Sequence, residues 1–453
     1  MNRVAPAISV CIPVRNGEEQ LRHTLLNLLV HSSYPTDRWE VVLGDHGSTD
    51  GTAAMIAAFA ERFPRVRGIH VPYEGPNRAH VRNRLIESSR GDLLVFIDHD
   101  VLVSDDFLWK HVEAHEVFSS SIVAGAIFGA VLEGDVGGAL GRLELDHISA
   151  SRDVLAASEE YADPRLPPNW PPDAGETLEV SRAPAPFRLF WGGNVSACRA
   201  DIDACGRFDE TYNGWGLEDD DFAQQFRVRG RGMVLSRSAW AFHMPGVPHD
   251  LTHVGQWRRN FETFFRKFAT REIEGYGVYG SALLPIGLAR LDGLLGELRR
   301  IDTGPAFAAV AARLGVSPGR RLAHLVADPR TAETLQLTDA LSPFGDVTEP
   351  HRYERRTHWW PLVGLKTPFA DHEIDEAVVS VDVMMWLDPY LLTLLLSETA
   401  RIAKHVVFCT GPHAEVHAGG FPARTLREIA NRLHFAGVTW MKVEEPAERE
   451  ELQ

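Results

Sequence analysis

Over its first hundred residues the chain alternates short apolar runs with stretches of helical periodicity, and the apolar runs end in polar or charged residues. Ala7 to Pro13 is a mostly apolar run closed by proline and followed by Arg15-Asn16-Gly17, a strand and its turn. Glu19 to His31 places Leu21, Leu25, Leu28 and Leu29 on one helical face. Trp39 to Gly44 is a second strand, and Ser48-Thr49-Asp50-Gly51 opens a helix over Ala53 to Phe63. Val66 to Val71, Arg78 to Ser88 and Asp92 to Ile97 continue the series as strand, helix and strand. Strand and helix in this order build a doubly wound α/β sheet with crossover helices. In such a sheet ligands gather outside the carboxyl ends of the strands, so the residues just after each strand are where chemistry is expected.

Composition removes several function classes. The chain has 453 residues, 44% hydrophobic, which is the composition of a folded protein of two or three domains. Its 46 Lys and Arg against 62 Asp and Glu give a net charge of −16, which argues against nucleic acid as a partner. Four cysteines, Cys11, Cys198, Cys205 and Cys409, form neither a disulfide framework nor a zinc cage. No apolar run reaches the ~18 residues of a membrane span, the longest candidate being Ile122 to Leu132. The first residues read as a strand rather than a signal peptide. The expectation is a cytoplasmic protein, peripheral to a membrane at most.

Three strand ends carry polar groups. The first ends in Pro13-Val14-Arg15, the second in Asp45-His46-Gly47-Ser48, and the fourth, LLVFI, in Asp98-His99-Asp100. Two carboxylates one residue apart at a strand end can hold a hard divalent cation that keeps positions open for phosphate oxygens. The ordinary alternative is that they cap the helix beginning near Asp105. Arg78 and Arg82 stand at i and i+4, on one helix face, and can reach one anion or form a solvated basic face. GWGLEDDDF supplies Glu218, Asp219, Asp220 and Asp221 at a helix start, whose positive end favours ionised carboxylates; capping by one of them is the alternative to catalysis.

The stretches SVCIPVRNGE, VVLGDHGSTDGT, NRAHVRN, LLVFIDHD, WGGNVSACRADIDACGRFDETYNGWGLEDDDF and NFETFFRKF resemble the family 2 glycosyltransferases of the GT-A fold, over about residues 7 to 270. The resemblance implies a nucleotide-diphosphate-sugar transferase domain. It implies that Asp45 accepts from the N3–H of a uracil or similar base, that Pro13 and Arg15 line the nucleoside pocket, and that Arg78 and Arg82 face the nucleotide. Asp98 would lie near the ribose and Asp100 on a manganese or magnesium ion. His46 stands where the family often has a second Asp. By the same resemblance Asp219 is the general base of an inverting transfer, Glu218 contacts the acceptor, and Trp215, next to Gly216, gives it an apolar face. His243 in WAFHMPGVPH is the further metal ligand, with His249 and then His253 as competing choices.

Further along, seven prolines between Ala162 and Pro186 suggest a long loop or flap, and a strand at Phe190 to Ala197 and a helix at Glu218 to Arg229 follow. Ser281 to Leu314 reads as helical linkage. A second α/β pattern then runs through a strand at Leu322 to Val326, a helix at Arg330 to Leu341, a strand at Ala377 to Val381, a helix at Pro389 to Ala403 and a strand at His405 to Thr410. The segment LKTPFADHEIDEAVVSVDVMMWLDPYLLTLLLSETARIAKHVVFCT resembles the second half of a class I methyltransferase, but Ala327-Asp328-Pro329-Arg330 stands where a glycine-rich cofactor turn is needed. The expected organisation is a GT-A domain at 1–275, a helical linker at 276–320, and a smaller Rossmann-like, degenerate methyltransferase-like domain at 321–453 that helps bind acceptor or build a homo-oligomer. The leading function is metal-dependent, inverting transfer from a nucleotide sugar, with UDP favoured, to a small metabolite, peptide or glycan. A bifunctional glycosyltransferase and methyltransferase, and a non-catalytic nucleotide-sugar-binding protein, are the alternatives.

Overall fold

The apolar run Ile8–Val14 (β1) lies at the heart of a sheet that buries both its faces, which is why it carries no polar alternation. The computed structural model describes residues 7–129, 163, 165–166, 170–244, 251–298, 319–324, 335–342, 357–380, 387, 389–410 and 438–442. Contacts divide the chain into Met1–Thr263 and Phe264–Gln453.

In the first unit the order is β1, α1 (Glu18–His31), β2 (Trp39–Asp45), α2 (Thr52–Arg62), β3 (Val66–His70), α3 (Arg78–Ser88) and β4 (Leu93–Ile97). These strands pair in parallel as β3-β2-β1-β4, the arrangement that the strand and helix alternation implies. Beyond β4 the sheet becomes mixed. It continues through β8 (Asn194–Cys198), β6 (Ser121–Phe128), β9 (Gly232–His243) and β5 (Val101–Val103), with β7 (Thr177–Glu179) paired to β9. Among the described residues, the further α-helices up to the boundary are α4 (Phe107–Val117), α5 (Arg199–Cys205), α6 (Glu218–Val228) and α7 (Leu251–Phe268), which crosses it. The main core is aliphatic, with Val10, Ile12, Leu21, Leu25, Val41, Leu43, Val95 and Ile97 sealed between sheet and helices.

Two readings of this unit change. The strand expected from Phe190 starts only at Asn194, because Phe187 and Phe190 enter the core from a 3₁₀ turn at Pro186–Leu189 and Gly192-Gly193 interrupts the run. Asp98 and Asp100 cap no helix, since β5 intervenes and α4 starts at Phe107. Of the expected flap, residues 163, 165–166 and 170–186 are described; they hold a 3₁₀ turn at Pro172–Ala174 and the strand β7.

Among the described residues the second unit holds α8 (Arg271–Leu298), which breaks at Gly280, and six strands. They are β10 (Arg321–Ala323), β11 (Asp339–Leu341), β12 (His358–Trp360), β13 (Ile374–Ser380), β14 (Ala403–Thr410) and β15 (Val438–Lys442), with α9 (Pro389–Ile402) between β13 and β14. All pair in parallel, in the order β12-β11-β10-β13-β14-β15, which is the strand order of a Rossmann-like sheet. The helix expected over Arg330 to Leu341 is corrected at its end, where Asp339–Leu341 is a strand beside Leu322 and Ala323. The residues 327–330, where a cofactor turn is missing, lie outside the described residues. Glu274 on α8 is buried and accepts from the backbone N–H groups of Val363, Gly364, Leu365 and Lys366 at 2.6 to 3.2 Å. Among the described residues no helix is long and apolar enough to cross a membrane.

Candidate active site

The carboxyl ends of β1 and β2 form the first part of the site. Val14 and Asp45 are register partners, and the buried Asp45 closes its own turn by accepting from Ser48 N at 3.0 Å. Pro13 lies opposite Gly44. Asn16, at a positive φ of 53°, accepts from Thr49 N at 2.8 Å, and its own N–H donates to Ser48 Oγ at 2.9 Å, so the two strand-end turns are tied together. Tyr73 is the residue that sequence reasoning missed here. The Arg15 guanidinium lies 3.7 Å from its ring centre and His46 meets the same ring edge-on at 5.0 Å. Burial, and then the charges of Arg15 and His80, hold the His46 imidazole below its ordinary pKa, so it faces this pocket neutral.

β4 delivers Asp98 and Asp100, and the antiparallel pairing of β5 with β9 sets His243 beside them through the register Val101↔His243. Met244 N donates to Asp100 O at 2.8 Å, which fixes the turn. One ligand atom from each of Asp98, Asp100 and His243 falls within 4.8 Å of the others. His243 Nδ1 bonds Met244 O at 2.9 Å as a donor, leaving Nε2 as a lone pair 3.6 Å from Asp100 Oδ1. That oxygen is buried with no hydrogen-bond partner. Two carboxylates, an imidazole lone pair and an unsatisfied buried oxygen suit a divalent cation in composition and in second-sphere support. Of the competing histidines, His249 lies outside the described residues, and the ring of His253 on α7 lies tilted against Trp215, 5.6 Å between centres.

Arg82 and Arg78, one helical turn apart, differ in burial. Arg82 is buried, donates from Nη1 to Glu218 Oε1 at 3.0 Å and lies 3.7 Å from Asp98 Oδ1, whereas Arg78 is exposed. Burial pushes the Asp98 carboxyl up, but the positive charges of Arg82 and Arg78 outweigh it and hold the carboxyl below its usual range. Arg82 therefore joins the Asp98 end of the site to the acidic start of α6.

That start is shaped by a run of left-handed backbone: Gly214 and Gly216 both sit at φ 90°, where glycine is the natural occupant, and Leu217 at 76°. Gln256 and Asn260 of α7 hold the turn, Gln256 Oε1 accepting from Trp215 N at 2.7 Å and Asn260 donating to Gly216 O at 2.9 Å. The four carboxylates then part ways. Glu218 pairs with Arg82; Asp221 is sealed by Tyr212 and Gln225. Asp219 accepts from Gly192 N at 3.1 Å and from Asp220 N at 3.0 Å. Burial first, then the charge of Glu218, pushes the Asp219 carboxyl up to about 6, where a general base works near neutral pH. Asp220 is raised well above its ordinary value by burial and by Asp219. Gly192 and Gly193, unassigned from sequence, lie between the two ends: Gly192 holds Asp219, and a Cβ on Gly193 would come within 2.8 Å of Asp98 Oδ2. Also missed was the lock that carries the segment before α6 to α3. In it Asn83 exchanges bonds with Phe208 N and O, and Glu210 bonds Asn83 and His80 at 2.7 and 2.8 Å.

Comparison with known proteins bears on this geometry. Residues 9–143 match the family described as Glycosyl transferase family 2, and residues 175–242 match the one described as N-terminal domain of galactosyltransferase. The chain is 27% identical over 393 residues to a validoxylamine A glucosyltransferase of Streptomyces hygroscopicus subsp. limoneus, covering 83% of this chain and 84% of that protein. It is 26% identical over 304 residues to the uncharacterized glycosyltransferase YfnE of Bacillus subtilis (strain 168), covering 57% of this chain and 70% of that protein. Among solved structures, S. aureus TarS 1-349 in complex with UDP-GlcNAc is similar at 16% identity and a TM-score of 0.42, covering 68% of this chain and 76% of that one. The chain is a glycosyltransferase, and its family 2 match runs across the strands that carry Asp45, Asp98 and Asp100.

Proposed function

We propose that the protein is an inverting, metal-dependent glycosyltransferase that takes its sugar from a nucleotide-diphosphate donor, UDP-linked in the first instance. The observation that carries this reading is the pairing of two unlike acidic centres across the Gly192-Gly193 turn. On one side stand Asp98, Asp100 and His243; on the other is Asp219, raised toward neutrality. Asp98, Asp100 and His243 would hold Mn2+ or Mg2+, which supplies positive charge to the leaving diphosphate when bound. Asp45, Pro13, Arg15 and Tyr73 bind the nucleoside, with Asp45 accepting from the base. Asp219 takes the proton of the acceptor hydroxyl as its oxygen bonds the anomeric carbon and the bond to the diphosphate breaks, the electron pair leaving with the phosphate. Trp215 offers the acceptor an apolar face, and Glu218, fixed by Arg82, borders it.

The Streptomyces relative is named for glucosyl transfer to validoxylamine A, so UDP-glucose and that acceptor are the first pair to assay. UDP release from UDP-glucose with Mn2+ tests the reading. Asp219→Asn abolishes release while UDP affinity stays nearly intact; an active Asn variant sinks the assignment of the base.

A further inference from the structure

Where β6 and β9 run in parallel their ladder breaks: Gly125 pairs with Ser236 but Ile127 pairs with Ala241, so β9 carries residues 237–240 against Ala126 alone. Such a break strands backbone groups inside a buried sheet, and each needs a partner. Side chains supply them. Arg165 Nη2 donates to Gly125 O at 2.8 Å, Asp163 Oδ2 accepts from Ile127 N at 2.7 Å, and Asn194 Nδ2 donates to Ala126 O at 3.0 Å and Ala239 O at 2.8 Å. Arg165 and Asp163 also pair with each other at 2.7 Å, with side chains 3% and 0% exposed.

A buried ion pair is an expensive way to close a sheet and is weak support for stability. The remaining bonds of these residues lead elsewhere. Arg165 Nη1 donates to Leu189 O at 3.0 Å, and its guanidinium lies 4.7 Å from the ring centre of Trp191. Asn194 stands directly after Gly193. Arg165, held by Asp163, and Asn194 thus grip the two ends of the turn from Leu189 to Asn194, whose middle holds Asp219 through Gly192 N–H and passes Asp98 so closely that a Cβ on Gly193 would come within 2.8 Å of its Oδ2. Asn194 is held in turn by the buried His111, whose Nε2 lies 3.0 Å from Asn194 Oδ1. Burial pushes this imidazole down to about 3, so it is neutral, with Nε2–H donating to the amide oxygen and Nδ1 accepting from Ser196.

We infer that Asp163, Arg165 and Asn194 are positioning residues for sugar transfer: they fix the Leu189–Asn194 turn so that Gly192 N–H aims the Asp219 carboxylate. This rests on Asp219 being the base. The charged groups that bear on Asp219 are Glu218 and Asp220 on its own helix, Arg82 from α3, and Arg188, which acts at Asp220.

The test uses Arg165→Lys, which keeps the charge but lacks the fork needed to bond Gly125 O, Leu189 O and Asp163 together, and Asp163→Asn, which leaves Ile127 N–H an acceptor if the lysine variant does not fold. The measurements are UDP release from UDP-glucose with Mn2+ across pH, and UDP affinity by calorimetry. The expected result is a kcat lower by about 10- to 100-fold, as for a misplaced reacting group. UDP affinity changes by less than about twofold. The acidic limb of kcat rises by about one pH unit, since the ionised Asp219 has lost a donor. An unchanged kcat and pH limb, or equal losses in kcat and UDP affinity, overturns the positioning role. Asp219→Asn run in parallel separates the two readings. If it is inactive while Arg165→Lys behaves as wild type, only the positioning role falls; if it remains active, the base assignment falls first and takes the positioning role with it.

Discussion

Replacing Arg82 by Met keeps most of the side chain's volume and removes a guanidinium that is 3% exposed, 3.0 Å from Glu218 and 3.7 Å from Asp98. At an effective dielectric of about 20 these separations correspond to gross attractions of roughly 5 kcal/mol each. The Asp98 share is to be cut, because that side chain is 36% exposed and water screens it. Glu218, 5% exposed and with Oε2 already lacking a partner, carries most of the effect. Removing one member of such a buried pair costs about 3–5 kcal/mol, because the other charge stays buried without compensation. Against a domain stability of about 5–15 kcal/mol this is a large fraction. The assay is urea unfolding followed by tryptophan fluorescence at pH 7.5, on wild type, Arg82→Met, Glu218→Gln and the double variant. Arg82→Met alone should be the least stable, and Arg82→Met with Glu218→Gln should recover about 2 kcal/mol, a coupling of the size expected for contacting charges. Strict additivity of the two changes, or a loss below about 1 kcal/mol in Arg82→Met, would refute the view that Arg82 is the counter-ion of the α6 carboxylates.

Three further outcomes follow from the same geometry. Because burial and Glu218 raise the Asp219 carboxyl from 3.8 to about 6, its ionised form costs the fold; its favourable share of stability is complete below pH 3.8 and lost as pH rises through about 6. Asp219→Asn should therefore be more stable than wild type by about 1–3 kcal/mol at pH 8, with the gain gone near pH 4, as read by thermal unfolding. His243→Ala and Asp100→Asn should each weaken Mn2+ binding at least about tenfold, measured by calorimetry; unchanged affinity in both removes the metal assignment. Asp45→Ala should weaken UDP binding by about 10- to 100-fold, the value of a hydrogen bond to a charged group, without changing Mn2+ affinity.

The parallel half of the first sheet was legible because its residues answer to local rules. Arg78–Ser88 was bounded correctly in a sequence where Asn77 caps the helix by accepting from His80 N, and LLVFI has no reading other than a fully buried strand. The placement of Asp45, Asp98 and Asp100 at strand ends was legible for the same reason. What failed depended on distant partners. Arg330 to Leu341 was read as a helix, but Asp339 near its end is buried and bonded by Arg320 and Trp360, which come from segments 19 and 21 residues away in the chain. That Arg82 is also paired inside the protein was not legible, because the i, i+4 spacing shows only a shared helix face. Its partner Glu218 is 136 residues on, and nothing in either local pattern announces it. Gly192 and Gly193 gave a signal, two adjacent glycines before an apolar strand, that marks close backbone approach without naming what approaches.

The carboxylates themselves divide by how each is compensated, and the division says what each can do. Asp221 is enclosed by Tyr212 and Gln225, which makes it part of the scaffold. Glu218 and Asp98 are both answered by Arg82, whose charge holds the Asp98 carboxyl below its usual range. Asp219 receives only backbone N–H groups, from Gly192 and Asp220, and burial leaves it close to half-protonated near pH 6, the one state suited to taking a proton and giving it up again. Asp100 presents a buried oxygen that no donor meets, beside an imidazole whose own N–H is already spent on Met244 O. That oxygen and His243 Nε2, 3.6 Å apart, face the same point. The carboxylates of the candidate site thus divide into one enclosed in the scaffold, two paired with an arginine, one raised toward neutrality and one with a buried oxygen that no donor meets.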